Sequence, residues 1–198
     1  MFGCHRVVCR IRAVQIIQGV ALSTKYHPEL AHLSWLIGTW VGVGVVGYPS
    51  MESDIQVAQE LVIAHDGRPF LSHWSRTWQL DSHGERIKPL AVESGFWRPR
   101  PNNEAEFLLA HPTGFLESWF GTVTVTGIEE VGDTAIISGA RIILELDALV
   151  RTTSAKEVTS GQRMYGLVEG GDLGWVYDMQ TPNTPMTSHA SFRLSRQD

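Results

Sequence analysis

The sequence predicts an all-β fold, a single closed antiparallel up-and-down barrel of roughly ten strands with one short N-terminal helix. Three observations carry that expectation. From Leu30 onward, short apolar or alternating runs succeed one another, from VGVGVVGY and IQVAQELVIA to LGWVYDM and HASFRLSR, eleven in all. Each run has the length of a strand and repeats at period two, which sets alternate side chains on one face. The runs are separated by turn chemistry: DG at 66–67, HG at 83–84, NN at 102–103, TG at 113–114 and GGD at 170–172. Finally, no internal repeat and no interior linker divides the chain, which disfavours a propeller or a solenoid. Closure is the arrangement that leaves no strand edge exposed, so a barrel is preferred to a sandwich.

Residues 1–28 differ in chemistry from the rest of the chain, with Arg6, Arg10, Arg12 and Lys25 and no acidic residue. They read as a flexible basic arm or as a translation start assigned too far upstream; Gln15 and Gln18 interrupt the apolar stretch a secretory signal would need. Residues 29–198 are expected to form the barrel. Within HPELAHLSWLIG, Leu30, Leu33 and Leu36 suit the single short helix.

The next run, GTWVGVGVVGYP at 38–49, carries Gly38, Gly42, Gly44 and Gly47 around one large side chain, Trp40. Glycines at that density inside a strand mean a sharp bend or a close approach of another element. In calycin-type barrels a G-x-W on the first strand lets the Trp plug the closed end; a bulged strand without chemical role explains the pattern equally well. In HDGRPFLSHWSRTW, His65 and His73 read as turn or surface residues. In LLAHPTGFLESWFG, HPTG is a turn and keeps His111 extended before the proline.

Composition bounds the function. At 198 residues, with 43% hydrophobic and 19% charged residues, the chain can bury roughly 70% of its unfolded surface without disulfides or metals. A net charge of −5 and no basic stripe argue against nucleic acid as partner. No apolar run approaches the roughly 20 residues of a membrane span, so no membrane partner is expected. Cys4 and Cys9 both precede the barrel, which leaves its body without a thiol and suits a reducing, cytoplasmic setting. There is no HExxH, no GxSxG and no cysteine-based metal site; any hard chemistry is expected to belong to a bound cofactor.

Taken together, GTWVGVGVVGYP, HDGRPFLSHWSRTW, ESGFWRP, LLAHPTGFLE, SAKE and the C-terminal H-x-S-x-R-L-S-R resemble the nitrobindin family from about Leu30 to Arg196. These are haem-binding barrels related in shape to fatty-acid-binding proteins and described as peroxynitrite isomerases. Gly38, Trp40, Gly42 and Gly44 match the family's GxWxGxG pattern. The resemblance implies one haem b per subunit and an iron held by the histidine on the last strand, here His189. It further implies isomerisation of peroxynitrite to nitrate at ferric haem, binding or scavenging of nitric oxide, and a homodimer. Lys156 matches the lysine of the T-A-K-E block, a candidate for a haem propionate, and Ser50 matches the threonine that comes after Y-P. The segment departs from the family pattern at Ala190 and Phe192, and TPNTPMTS replaces the customary Gly-Gln-Pro approach. The resemblance also implies a mainly apolar distal side.

The alternative is a fatty-acid or small apolar-ligand carrier, which would want a buried arginine for a carboxylate; Arg76, Arg163 and Arg193 are the candidates. A family member with degraded haem binding is the third reading. A structural question stands apart from these. Period two places Ala190, Phe192 and Leu194 on one face and His189, Ser191 and Arg193 on the other. For His189 to hold a ligand inside, either the polar face lines the cavity or a bulge near Ser188 resets the parity.

Overall fold

The computed structural model describes residues 26–49, 51–132 and 134–197. The basic segment 1–28, apart from its last three residues, and Ser50 therefore lie outside the described residues. Ten antiparallel strands form one closed ring: β1 (Gly38–Val46), β2 (Ile55–Ala64), β3 (Leu71–Leu80), β4 (Arg86–Pro99), β5 (Glu104–His111), β6 (Phe115–Val131), β7 (Thr134–Arg151), β8 (Ser160–Leu167), β9 (Leu173–Thr181) and β10 (Thr184–Gln197). Each strand pairs with its neighbours in sequence and β10 returns to β1, the up-and-down order that consecutive hairpins dictate. TAIISG and IILELDAL, separate runs in the sequence, lie on the single strand β7. The turn signals fall where the strands reverse, and Asn102 and Asn103 adopt positive φ of 61° and 60°, a conformation asparagine tolerates better than most residues.

The N-terminal helix is present at Pro28–Leu36, as a 3-10 helix rather than an α-helix. Its leucines recur at every third residue, the repeat of that tighter helix, and Leu30, Leu33 and Leu36 are all fully buried. This helix and Trp40 stop one end of the barrel. The Trp40 ring is fully buried and its Nε1–H donates to the Leu36 carbonyl at 2.9 Å. The Arg196 guanidinium lies 4.3 Å from the centre of the ring, a cation–π contact. Arg196 also donates to the carbonyls of Ile37 and Trp35, which ties β10 to the plug.

Two glycines of β1 have a steric reason. A Cβ on Gly42 would lie 2.1 Å from the Arg193 carbonyl oxygen, and one on Gly44 would lie 2.4 Å from the Ser191 oxygen and 2.5 Å from the Phe192 ring. The first strand is smooth because β10 lies against it. Phe192 in turn stacks on Trp175, with ring centres 4.5 Å apart and planes 10° apart.

Candidate functional site

The end of the barrel away from Trp40 is bounded by the segments 47–54, 81–85, 112–114, 152–159 and 182–183. His189 lies near it on β10. Ser188 pairs with Asp178 of β9 and Ala190 with the next residue, Tyr177, so His189 is the additional residue of a β-bulge. Of the two arrangements open to the sequence, the bulge is the one the chain adopts. Ala190, Phe192 and Leu194 point into the core as period two requires, while Arg193 is exposed and bound to Asp172. The bulge frees the imidazole from strict alternation, and it sits between two tyrosines, 5.3 Å from the ring centre of Tyr48 and 5.5 Å from that of Tyr177.

The tautomer of His189 is set by the backbone. Nδ1 lies 3.2 Å from the Gly47 carbonyl oxygen, which can only accept, so the ring proton belongs on Nδ1 and the lone pair on Nε2. Gly47 N–H donates back to the His189 carbonyl at 3.0 Å. Burial holds the imidazole below the ordinary histidine value; the Gly47 bond opposes this, and the positive charges of Lys156 and Arg163 add to it. A neutral imidazole with Nδ1–H on a carbonyl and Nε2 unengaged among the described residues is the donor state that haem iron takes. The residues present therefore fit a haem at this position. Lys156 is exposed on the 152–159 segment, with Nζ 4.9 Å above the Tyr48 ring. His189, Tyr48 and Lys156 thus meet at the barrel mouth. Among the described residues no His, Cys, Asp and Glu group is arranged to hold a bare metal ion.

Below the mouth, the interior departs from the apolar lining expected there. On β3 the inward residues are Leu71, His73, Ser75 and Thr77, all buried, while Trp74 is turned outward. His73, read from sequence as a turn or surface residue, is 3% exposed; His65 does occupy a turn, where its Nδ1 accepts from Gly67 N–H. His111 closes β5 before the expected turn, yet its ring enters an ionic cluster as well. Its Nε2–H meets Glu117 Oε2 at 3.0 Å, and its Nδ1 is 3.8 Å from Glu93 Oε1. Arg163, 1% exposed, donates to Glu93 at 2.7 Å and lies 3.7 Å from Glu117. Trp119 Nε1–H also donates to Glu117, at 3.0 Å.

Burial alone would raise the Glu93 carboxyl, but Arg163 and then His111 outweigh it and bring it down to about 2. Glu117 is lowered on the same balance, with its hydrogen bond to His111 the strongest opposing cause. Both are ionised in the fold. Burial pushes His73 down to about 4. The signal for this layer was present in the sequence: Glu93 shares parity with Trp97, Glu117 with Trp119, and Arg163 with Tyr165, so charges of both signs occur at inward positions of different strands.

The arginine required by a carboxylate carrier is not free here. Arg163 is already held by two carboxylates, and Arg76 and Arg193 are exposed and paired with Glu60 and Asp172.

Residues 29–196 match the family model described as a THAP4-like, heme-binding beta-barrel domain. A peroxynitrite isomerase of a Nocardioides species is 43% identical, over 89% of this chain and 98% of that protein. A ferric nitrobindin-like protein of Kineococcus radiotolerans is 42% identical over 88% of this chain and 97% of its own length. Among solved structures, Rv2717c from M. tuberculosis superposes with a TM-score of 0.75 at 31% identity, covering 87% of this chain and 99% of that one. With a closed ten-strand barrel, the plugged end and this extent of similarity, the chain belongs to the THAP4-like heme-binding beta-barrel domain family.

Proposed function

We propose that this chain is a ferric haem protein that isomerises peroxynitrite to nitrate and also takes up nitric oxide, with His189 as the iron's protein ligand and one haem b per subunit. The observation that carries the reading is the His189 bulge, where Nδ1 faces the Gly47 carbonyl at 3.2 Å and leaves Nε2 as the donor. Bound there, ferric haem would supply the Lewis-acidic centre at which peroxynitrite is converted to nitrate.

The chain's own part is positional. Gly47 fixes the ring of His189 and keeps its proton on Nδ1. Tyr48 and Tyr177 flank that ring and limit its rotation. Lys156, at the mouth, offers a positive charge to a propionate, and Ser50 is the hydroxyl carried over from the resemblance. The surrounding walls would confine a small bound anion and limit its exchange with bulk water. Cysteine placement supports a cytoplasmic setting. A homodimer is supported by an apolar row on the outer face, where Val62, Trp74, Leu116 and Val150 are exposed along one line of register.

The test is a hemin titration and then peroxynitrite decay in stopped flow. The wild-type chain should give a Soret band, accelerate decay and raise the yield of nitrate, and His189→Ala should lose all three. Tight fatty-acid binding without hemin uptake would instead favour a carrier.

A further inference from the structure

The ionic layer beneath the mouth brings together His111, Glu93, Glu117 and Arg163. Around the closed ring β5 and β10 are five strands apart in either direction, so His111 and His189 stand on opposite walls. Both lie toward the same end, His111 beside the 112–114 turn and His189 toward the 182–183 turn. Glu93, 3.8 Å from His111 Nδ1, also acts electrostatically on His189. A group held by His189 inside the ring would therefore lie between β10 and the wall that carries His111.

His111 shares the inward parity of Ala105, Phe107 and Leu109 on β5. Its Nε2–H is committed to Glu117, and its Nδ1 is too far from Glu93 for a hydrogen bond. The ring is steadied at one nitrogen and available at the other. Deeper in the same layer, His73 Nε2 and Arg163 Nε are buried with no partner among the described residues. Such atoms are uncommon in native interiors and are usually met by water or a ligand.

We infer that His111, steadied by Glu117, is the positioning residue that hydrogen-bonds a small anion held on the side of the haem away from His189. The inference rests on the haem reading of the His189 site. The bond comes from Nδ1–H, while Nε2–H stays on Glu117. The groups facing it are Glu93 from β4, Glu117 from β6, Arg163 from β8 and His73 from β3. For peroxynitrite or nitrate the bond would fix one oxygen and hold the anion over the metal rather than at the mouth.

The experiment compares hemin-loaded wild type, His111→Leu and His111→Gln, with sodium fluoride as probe of the ferric form and carbon monoxide as probe of the ferrous form. His111→Leu should lose fluoride affinity by about tenfold, the scale of one hydrogen bond to a charged group, and its C–O stretch should rise in frequency. His111→Gln, which keeps an N–H donor, should stay closer to wild type in both. Equal fluoride affinity and equal C–O stretch in wild type and His111→Leu, with hemin still bound, overturns the inference and leaves the haem reading intact. No hemin uptake by the wild type overturns both. If His111→Leu does not load, Glu117→Gln decides: it keeps the imidazole but weakens its hold, and unchanged fluoride affinity there also overturns the inference.

Discussion

His189 and Gly47 exchange two hydrogen bonds across the β1–β10 seam, Nδ1 to carbonyl at 3.2 Å and N–H to carbonyl at 3.0 Å. The residue that follows the first strand therefore orients a side chain of the last. Replacing His189 with Gly should weaken hemin binding by more than about a hundredfold, beyond the roughly 10- to 100-fold range of lost outer contacts. Added imidazole should restore part of the Soret band in that variant. A His189→Gly protein that binds hemin like wild type, with no response to imidazole, would count against the assignment.

Arg163 is the counter-ion of two buried carboxylates. Arg163→Met should destabilise the barrel by about 3–5 kcal/mol, because Glu93 and Glu117 would remain buried without it. Adding Glu93→Gln should recover part of the loss. Urea midpoints of the single and double variants check this, and strictly additive losses would contradict the coupling.

One part of the pH dependence of stability arises from His73. Its folded value is about 4 against an ordinary 6.5, so between those values the unfolded chain binds a proton that the folded chain refuses. Stability is retained above about pH 6.5 and falls as pH drops toward 4, by about 3 kcal/mol from this residue. His32 and His189 are lowered too and act in the same sense, so the check is a difference. His73→Gln, which still offers Trp97 an acceptor, should show a shallower decline between pH 6.5 and 4.5 in denaturant unfolding. Identical slopes would refute the assignment.

Gly42 faces backbone that cannot yield to a methyl group. Gly42→Ala should cost about 1–3 kcal/mol or more, the range of overpacked interiors, and lower the thermal midpoint. Gly84→Ala, at a turn with open space around it and φ of +85°, should cost less, about 1 kcal/mol of backbone strain. Equal losses would show that the approach of β10 does not constrain β1.

Most of the fold was legible because period two and turn chemistry are local properties. The strand count, the ring and the plug by Trp40 come from them and from the GxW pattern. His189 was singled out only through resemblance, since alternation alone places it on the polar face. The bulge that frees it from alternation depends on how β9 pairs with β10, and no local pattern encodes that register. The interior charges were missed for a related reason. On β3 the usual reading inverts: Trp74 is outside while His73, Ser75 and Thr77 are inside. Hydrophobicity identifies the inner face only when the interior is apolar. Here Arg163 on β8 neutralises Glu93 on β4 across the interior, a pairing visible only once the ring is closed.

That ring closes through Thr39 against Gln197 and Val46 against Ala190, residues near opposite ends of the folded barrel's sequence. Pairing of such distant segments is slow and comes late in folding. The Gly47–His189 contact belongs to the same seam, so a nascent or partly folded chain has no oriented imidazole to offer. On the haem reading proposed above, hemin would find an oriented ligand only on molecules whose ring has already closed.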